Sequence, residues 1–309
     1  PFWRKFQPAP ALQPSGPVIV LRRSSAPSAA DLRDQRQRLV CSKETPGETV
    51  STMDKAGSKG FDQVFEDIQA GGAPRWKVGE SVKDWETQHA NILEFCRPTD
   101  EPGGGKARLI VPLCGDAAYV KYAWEQGYHV TAVEWSEVAV GALKKQFEAS
   151  GVSFTTTTGT AGEGSIVHES HGVRLVQSDW ESFAAYALAK EADSFDVIMD
   201  KDAFGFFGPV RGKPYAAALC LLLKPKGHVY LEVKERADGS EGPPFHISAD
   251  MINDCFASCG VPIVKAFGPQ PAPYGPKMTQ VAYMLQRQCV RSDQSAETWS
   301  FFCCPMKAP

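Results

Sequence analysis

Residues 107–135 read ARLIVPLCGDAAYVKYAWEQGYHVTAVEW. Two apolar runs of strand length, Ala107 to Leu113 and His129 to Trp135, flank a stretch of helical period from Ala117 to Gln126, which Gly127 closes. A strand, a helix and a second strand in that order predict a right-handed crossover with the two strands parallel. In a sheet wound this way a ligand sits outside the carboxyl ends of the strands, beside the first of them. The turn Pro112-Leu113-Cys114-Gly115-Asp116 and the acid Glu134 at the end of the second strand therefore become the first candidate site residues.

The same alternation continues toward the carboxyl terminus. Ser136 is placed to cap a helix that runs to Ser150 and stops at Gly151. Val173 to Gln177, Phe195 to Met199 and His228 to Val233 read as strands, with helices at Phe183 to Ala192, Tyr215 to Leu223 and Ser248 to Ser258. Ile263 to Phe267 and Gln280 to Leu285 follow with no helix between them, which predicts an antiparallel pair. The expectation is a Rossmann-like α/β fold: a mostly parallel, seven-stranded sheet with a reversed final strand and helices on both faces. The stretch Val152 to Gly172, rich in Thr, Gly and His, reads as an inserted hairpin or surface loop.

The ends of the chain have a different texture. Residues 1–52 are basic, rich in Pro and Ser, free of acids before Asp31 and poor in apolar periodicity, so they cannot bury enough surface to fold alone. Three readings stay open: an organellar transit peptide, residues upstream of a start at Met53, or an ordered accessory segment. The expected organisation is a tail at 1–52, a catalytic domain at 53–288 with an amino-terminal cover at 61–95 and the insertion at 152–172, and an appendage at 289–309. The compartment follows from the tail: cytoplasmic, or plastid or mitochondrion if residues 1–52 are a transit peptide.

Composition narrows the partners. The 309 residues carry 33 basic and 36 acidic side chains, a net charge of −3, so no excess of Lys and Arg is present to track a phosphate backbone, which argues against nucleic acid. The longest apolar candidate, Tyr215 to Leu223, falls well short of the roughly 20 residues that span a membrane. Nine cysteines, dispersed and without a Cys-x-x-Cys pair, read as reduced core thiols, with Cys255 and Cys259 one helical turn apart as packing residues. His168 and His171 have no Cys or carboxylate at ligand spacing, so no metal is expected. No heptad pattern is evident, and a monomer is the default expectation.

The strand ends carry the chemistry. Gly115 lets backbone approach a ligand closely. A carboxylate such as Glu134 can accept hydrogen bonds from both hydroxyls of a ribose, and the alternative is a solvated strand-end glutamate. One glycine where a phosphate-binding loop shows three argues against a pyrophosphate cofactor and against a nicotinamide-dependent oxidoreductase. The later strands end in Ser178-Asp179-Trp180 and Asp200-Lys201-Asp202-Ala203-Phe204. Asp179 and Trp180 could frame an adenine, and Asp200 with Lys201 would face the other half of the cleft; read otherwise, residues 200–202 are helix-start or loop charges.

At these residues a resemblance becomes specific. Pro112-Leu113-Cys114-Gly115, Val133-Glu134-Trp135-Ser136-Glu137, Phe195-Asp196-Val197-Ile198-Met199-Asp200 and Gly242-Pro243-Pro244-Phe245 occur in the order and spacing of the thiopurine S-methyltransferase family, with its related thiol and halide methyltransferases. The resemblance covers about residues 61–286. It implies a class I methyltransferase fold and S-adenosyl-L-methionine as cofactor, a ligand with one ribose and no phosphate. It further implies that Leu113 and Gly115 line the methionine side, that Glu134 holds the ribose, and that Asp179 and Trp180 flank the adenine. Phe61 and Phe65 match the positions of two family Trp residues that close over the cofactor, and Trp76 matches an aromatic position near the departing methyl. Lys201 stands where the animal enzymes carry Arg, and the planar fork of guanidinium is lost.

The implied activity is direct in-line methyl transfer to the sulfur of a small thiol, a thiopurine-like compound, sulfide or an alkyl thiol, with Lys201 and Asp200 as the candidate catalytic residues. Trp76, Phe204, Phe206, Phe207 and Phe245 are the expected aromatic wall, with His246 as a candidate base beside it. The competing expectations are a halide methyltransferase and a non-catalytic cofactor-binding module.

Overall fold

The structure is a computed structural model that describes residues 70, 90–95, 106–237, 244–271 and 278–288. The tail at 1–52, most of the cover at 61–95 and the appendage at 289–309 lie outside the described residues.

A short helix, α1 (Ala90–Phe95), precedes the sheet. The quoted stretch folds into β1 (Arg108–Pro112), α2 (Ala118–Glu125) and β2 (His129–Glu134), and the two strands pair in parallel with Leu109 opposite Val130. Ser136 caps α3 (Glu137–Glu148), its hydroxyl accepting the Ala139 N–H, and Val140, Leu143 and Phe147 bury one stripe of that helix against the sheet.

The insertion is a hairpin. Strands β3 (Thr155–Thr158) and β4 (Ile166–Ser170) pair antiparallel, and β4 pairs antiparallel with β5 (Val173–Gln177), which lies parallel to β2. Next come α4 (Trp180–Lys190), β6 (Phe195–Lys201), α5 (Ala203–Leu222) and β7 (Leu223–Arg236). Last are α6 (Ala249–Phe256), a 3-10 turn over Ala257–Cys259, β8 (Ile263–Pro271) and β9 (Met278–Gln286).

The strand order is β3-β4-β5-β2-β1-β6-β7-β9-β8. Strand β9 runs antiparallel to both β7 and β8, so the reversed final strand lies inside the sheet. The expected seven strands become nine because the hairpin at 155–170 hydrogen-bonds onto the edge of β5. Its four threonines suit a strand by their branched side chains.

Two cores sandwich the sheet. One lies under α4, α5 and α6, the other under α1, α2 and α3. Because side chains alternate along a strand, Ile198, Leu231 and Val233 enter the first core, and Met199 and Tyr230 enter the second. Cys114, Cys220, Cys255 and Cys259 are buried free thiols. No helix among the described residues is long and apolar enough to cross a membrane.

Helix α5 starts twelve residues before the expected Tyr215, at Ala203, and so takes in Gly205, Gly208 and Gly212. At Gly208 the helix kinks: the backbone turns to φ 64° and ψ −167°, a conformation open in practice to glycine alone. Pro209 then restarts the helix from a position where its missing N–H costs nothing.

Candidate functional site

The carboxyl ends of β1, β2, β5, β6 and β7 converge on one rim. After β1 the chain turns through Leu113 (φ 47°) and Gly115 (φ 56°). A left-handed leucine costs about 1–2 kcal/mol, and the turn is held by bonds to β2. Cys114 N–H donates to Val133 O at 3.1 Å, and Gly115 N–H donates to Glu134 Oε2 at 2.8 Å. The other oxygen, Oε1, accepts the N–H groups of Trp135 and Ser136, each at 2.8 Å. Glu134 is therefore not a solvated strand-end acid. Its carboxylate joins the turn after β1 to the start of α3, and three charge-assisted bonds fix its plane.

At the end of β5, Ser178 N–H donates to Glu134 O at 3.0 Å. The Ser178 hydroxyl is buried and has no hydrogen-bond partner among the described residues, an arrangement that a bound polar group would satisfy. Asp179 Oδ1 accepts the Ser182 N–H at 2.7 Å and so caps α4. Trp180 departs from the expectation that it flanks a ligand. It is buried in the core edge-to-face with Tyr215, ring centroids 5.2 Å apart, because as the first residue of α4 it points at α5.

The pair Asp200 and Lys201, expected to face one half of the cleft, separates. The two residues are consecutive in β6 and so emerge on opposite faces of the sheet. Asp200 is fully buried on the α5 side, where Oδ2 accepts the Tyr215 O–H at 2.7 Å and Oδ1 accepts the Phe204 N–H at 3.1 Å. Burial lifts its carboxyl to about 7 against the opposing pull of those two bonds. Asp200 thus anchors α5 rather than standing beside Lys201.

Lys201 enters a cluster on the other face that the sequence reading did not assemble. Its Nζ lies 3.2 Å from Asp202 Oδ2 and 3.6 Å from Glu232 Oε1. Lys234 Nζ lies 2.9 Å from Asp202 Oδ1, donates to Asp202 Oδ2 at 3.0 Å and to Gln280 Oε1 at 2.7 Å. Tyr230 O–H donates to Glu232 Oε2 at 2.8 Å. Burial would raise the Asp202 carboxyl, but the ammoniums of Lys234 and Lys201 outweigh it and hold the group below the usual range. Burial pushes Glu232 up and Lys234 down, each against the attraction of its neighbours. One signal was available: Glu232 and Lys234 alternate inside an apolar run, which places two opposite charges on one face of a buried strand.

The aromatic wall is only partly where it was expected. Phe204 is buried in the core between Tyr215 and Phe256, and Phe207 stacks on Tyr215 with centroids 4.3 Å apart. Phe245 is half-buried; its N–H donates to Gly205 O at 2.8 Å and its ring covers Gly208. His246 is exposed, and its Nδ1 accepts the Arg236 N–H at 2.9 Å, which places the proton of the neutral ring on Nε2 and leaves no free lone pair for base chemistry. Phe61, Phe65 and Trp76 lie outside the described residues, as do Gly242 and Pro243.

Comparison with known proteins gives the family and the fold. The family model described as Thiopurine S-methyltransferase (TPMT) matches residues 73–266. Among curated proteins, the thiopurine S-methyltransferase of Acinetobacter baylyi is 27% identical over 154 residues, 49% of this chain and 67% of that one. The Legionella pneumophila (strain Corby) enzyme of that name is 27% identical over 186 residues, 60% of this chain and 78% of its own. The rabbit (Oryctolagus cuniculus) enzyme is 29% identical over 162 residues, 50% of this chain and 61% of its own.

Among solved structures, the fold is shared with the Burkholderia thailandensis 1,6-didemethyltoxoflavin-N1-methyltransferase, solved with 1,6-didemethyltoxoflavin and S-adenosylhomocysteine. The TM-score is 0.51 at 15% identity, over 79% of this chain and 94% of that one. A second structure, from work on converting a disulfide bond into a thioacetal group in echinomycin biosynthesis, gives a TM-score of 0.50 at 19% identity over 74% and 92%.

Proposed function

Since this chain belongs to the thiopurine S-methyltransferase family, we propose that it moves a methyl group by direct in-line transfer to the sulfur of a small thiol. The enzyme class itself is that of the family, an S-adenosylmethionine-dependent methyltransferase. The residues at the rim fit that cofactor. Glu134, its carboxylate oriented by three backbone N–H groups, would hold the ribose hydroxyls, and the left-handed turn at Leu113 and Gly115 would lie along the methionine part. The buried, unpartnered hydroxyl of Ser178 supports an adenine beside β5. When bound, the sulfonium supplies both the methyl group and its own leaving group.

What remains for the protein is to hold the acceptor in line and keep water out, work that is mainly proximity and orientation. The observation that carries the thiol reading is the ammonium of Lys201 at the end of β6, on the same rim of strand ends as Glu134. A cation there favours the thiolate, which is the nucleophile, over the thiol. Phe245, seated over Gly208, would contribute an apolar wall that desolvates the sulfur. We propose Phe61, Phe65 and Trp76 as the remaining aromatic cover and His246 as a residue at the mouth of the acceptor pocket. Asp200 is proposed to act through its hold on α5.

The test is release of S-adenosylhomocysteine by the full chain with two acceptor pools, thiols including sulfide, and halides. Release with thiols alone is expected. Release with halides alone would overturn the thiol reading.

A further inference from the structure

We propose that Gln280 determines which thiols are accepted: its side-chain NH2 donates to a carbonyl oxygen that the acceptor carries about one ring-width from its sulfur. This rests on the thiol reading above and deepens it by naming the class of acceptor.

The sheet brings this amide to the rim. Gln280 on β9 stands directly opposite Lys234 on β7, near the carboxyl end of that strand, and Glu232, two residues before Lys234, stands opposite Lys201 on β6. Residues opposed in register share a face, as do residues two apart on one strand. Lys201 and Gln280 therefore project from the same side of the sheet, with β7 between them. The side chains follow that alignment. Lys201 Nζ and Lys234 Nζ meet at Asp202 Oδ2, at 3.2 and 3.0 Å, and Lys234 Nζ donates to Gln280 Oε1 at 2.7 Å.

The direction of the amide is settled by that last bond. An ammonium offers donors only, so the oxygen of Gln280 must face Lys234 and the NH2 must point elsewhere. This holds whatever other groups Lys234 meets. The NH2 so directed is buried, in a residue 1% exposed, and has no hydrogen-bond partner among the described residues. A buried donor left unmade is costly, and native structures rarely keep one without a use. For receiving Lys234 alone, glutamate would serve better, since it accepts the same bond with the help of charge and carries no idle N–H. What the amide adds is a donor.

Position gives the size of the ligand. Two strand spacings, about 10 Å, separate β6 from β9. With sulfur beside Lys201, an aromatic ring bearing a carbonyl on its far side spans that distance toward Gln280. Sulfide and short alkyl thiols do not.

The experiment gives the full chain two aryl thiols of similar length and similar electron withdrawal. One is 4-mercaptoacetophenone, which carries the carbonyl, and the other is 4-(trifluoromethyl)benzenethiol, which does not. Wild type is expected to show a KM about tenfold lower for the ketone, the worth of one hydrogen bond to a buried donor. Gln280→Glu keeps an oxygen for Lys234 and turns the donor into an acceptor. It is expected to erase the preference for the ketone. It should also raise kcat/KM for 4-aminothiophenol, whose amine can donate, about tenfold relative to the trifluoromethyl thiol. Gln280→Met, with nothing to donate, should erase the first preference without creating the second. Scoring each variant as a ratio between thiols cancels any change in cofactor binding or sulfur activation.

Equal KM values in the wild type overturn the proposal, and so does a ratio that neither substitution moves. A loss shared equally by all three thiols overturns it too, since that is what a purely structural glutamine gives. If Gln280→Glu fails to fold by circular dichroism, Gln280→Met and the wild-type comparison decide. Failure of the underlying reading looks different: the wild-type protein would methylate none of the thiols, and both proposals would fall together.

Discussion

The ring of Phe245 occupies the place in which a β-carbon on Gly208 would stand: such an atom would fall 2.5 Å from Cδ2 of that ring. The kink of α5 and the loop before α6 are thereby fitted to each other, with Phe245 N–H on Gly205 O as the second fastening. Gly208→Ala must both adopt φ 64°, ψ −167° and push the ring away. A loss of about 1–3 kcal/mol in urea unfolding is expected from the backbone strain. Because Phe245 shifts, KM for the thiol should rise more than kcat falls, and steady-state kinetics check that split.

Glu134→Gln should weaken the cofactor site through its orientation. Both carboxylate oxygens accept N–H groups, and an amide must turn an NH2 toward at least one of those donors. Losing a charge-assisted bond costs about 1.5–3 kcal/mol. Calorimetric titration with S-adenosylhomocysteine is expected to show affinity reduced about tenfold or more.

Asp200 makes stability depend on pH with a definite sign. Its folded carboxyl is raised to about 7 while the unfolded chain has an ordinary aspartate. Between pH 4 and about 7 the folded state therefore keeps a proton that the unfolded state has released. Stability must fall as pH rises through that window, by up to about 1.4 kcal/mol per pH unit. Asn at this position can accept the Phe204 N–H with its oxygen and donate to Tyr215. Asp200→Asn is expected to flatten the fall, and urea midpoints at pH 5 and pH 8 measure the difference.

Lys201→Met should separate turnover from binding. Lys201 is on the face of β6 opposite Asp200 and contacts Asp202 and Glu232. With that cation gone, kcat for thiols is expected to fall about tenfold or more, while the affinity for S-adenosylhomocysteine changes less than about threefold. Stopped turnover with lost cofactor binding would assign Lys201 to the cofactor instead.

Much of this architecture is legible from residues 107–135 and their continuation. Apolar runs of five to seven residues and glycine-terminated helical periods are local properties, so β1, α2, β2, α3 and the cap at Ser136 can be read directly. The rule that ligands sit at the carboxyl ends of such strands then selects Gly115, Glu134, Asp179, Trp180, Asp200 and Lys201 as candidates without any coordinates. Other features depend on neighbours that no local pattern names. The hairpin at 155–170 became part of the sheet because β5 had an unpaired edge beside it. Trp180 and Phe204 look like ligand-facing aromatics by position, yet packing against Tyr215 and Phe256 buried them. Asp200 and Lys201 are adjacent letters that a strand sends to opposite faces. The pairing of Lys234 with Asp202 and Gln280 exists only because β6, β7 and β9 lie side by side, and it takes that close, dry meeting to give a buried ammonium partners strong enough to keep it there.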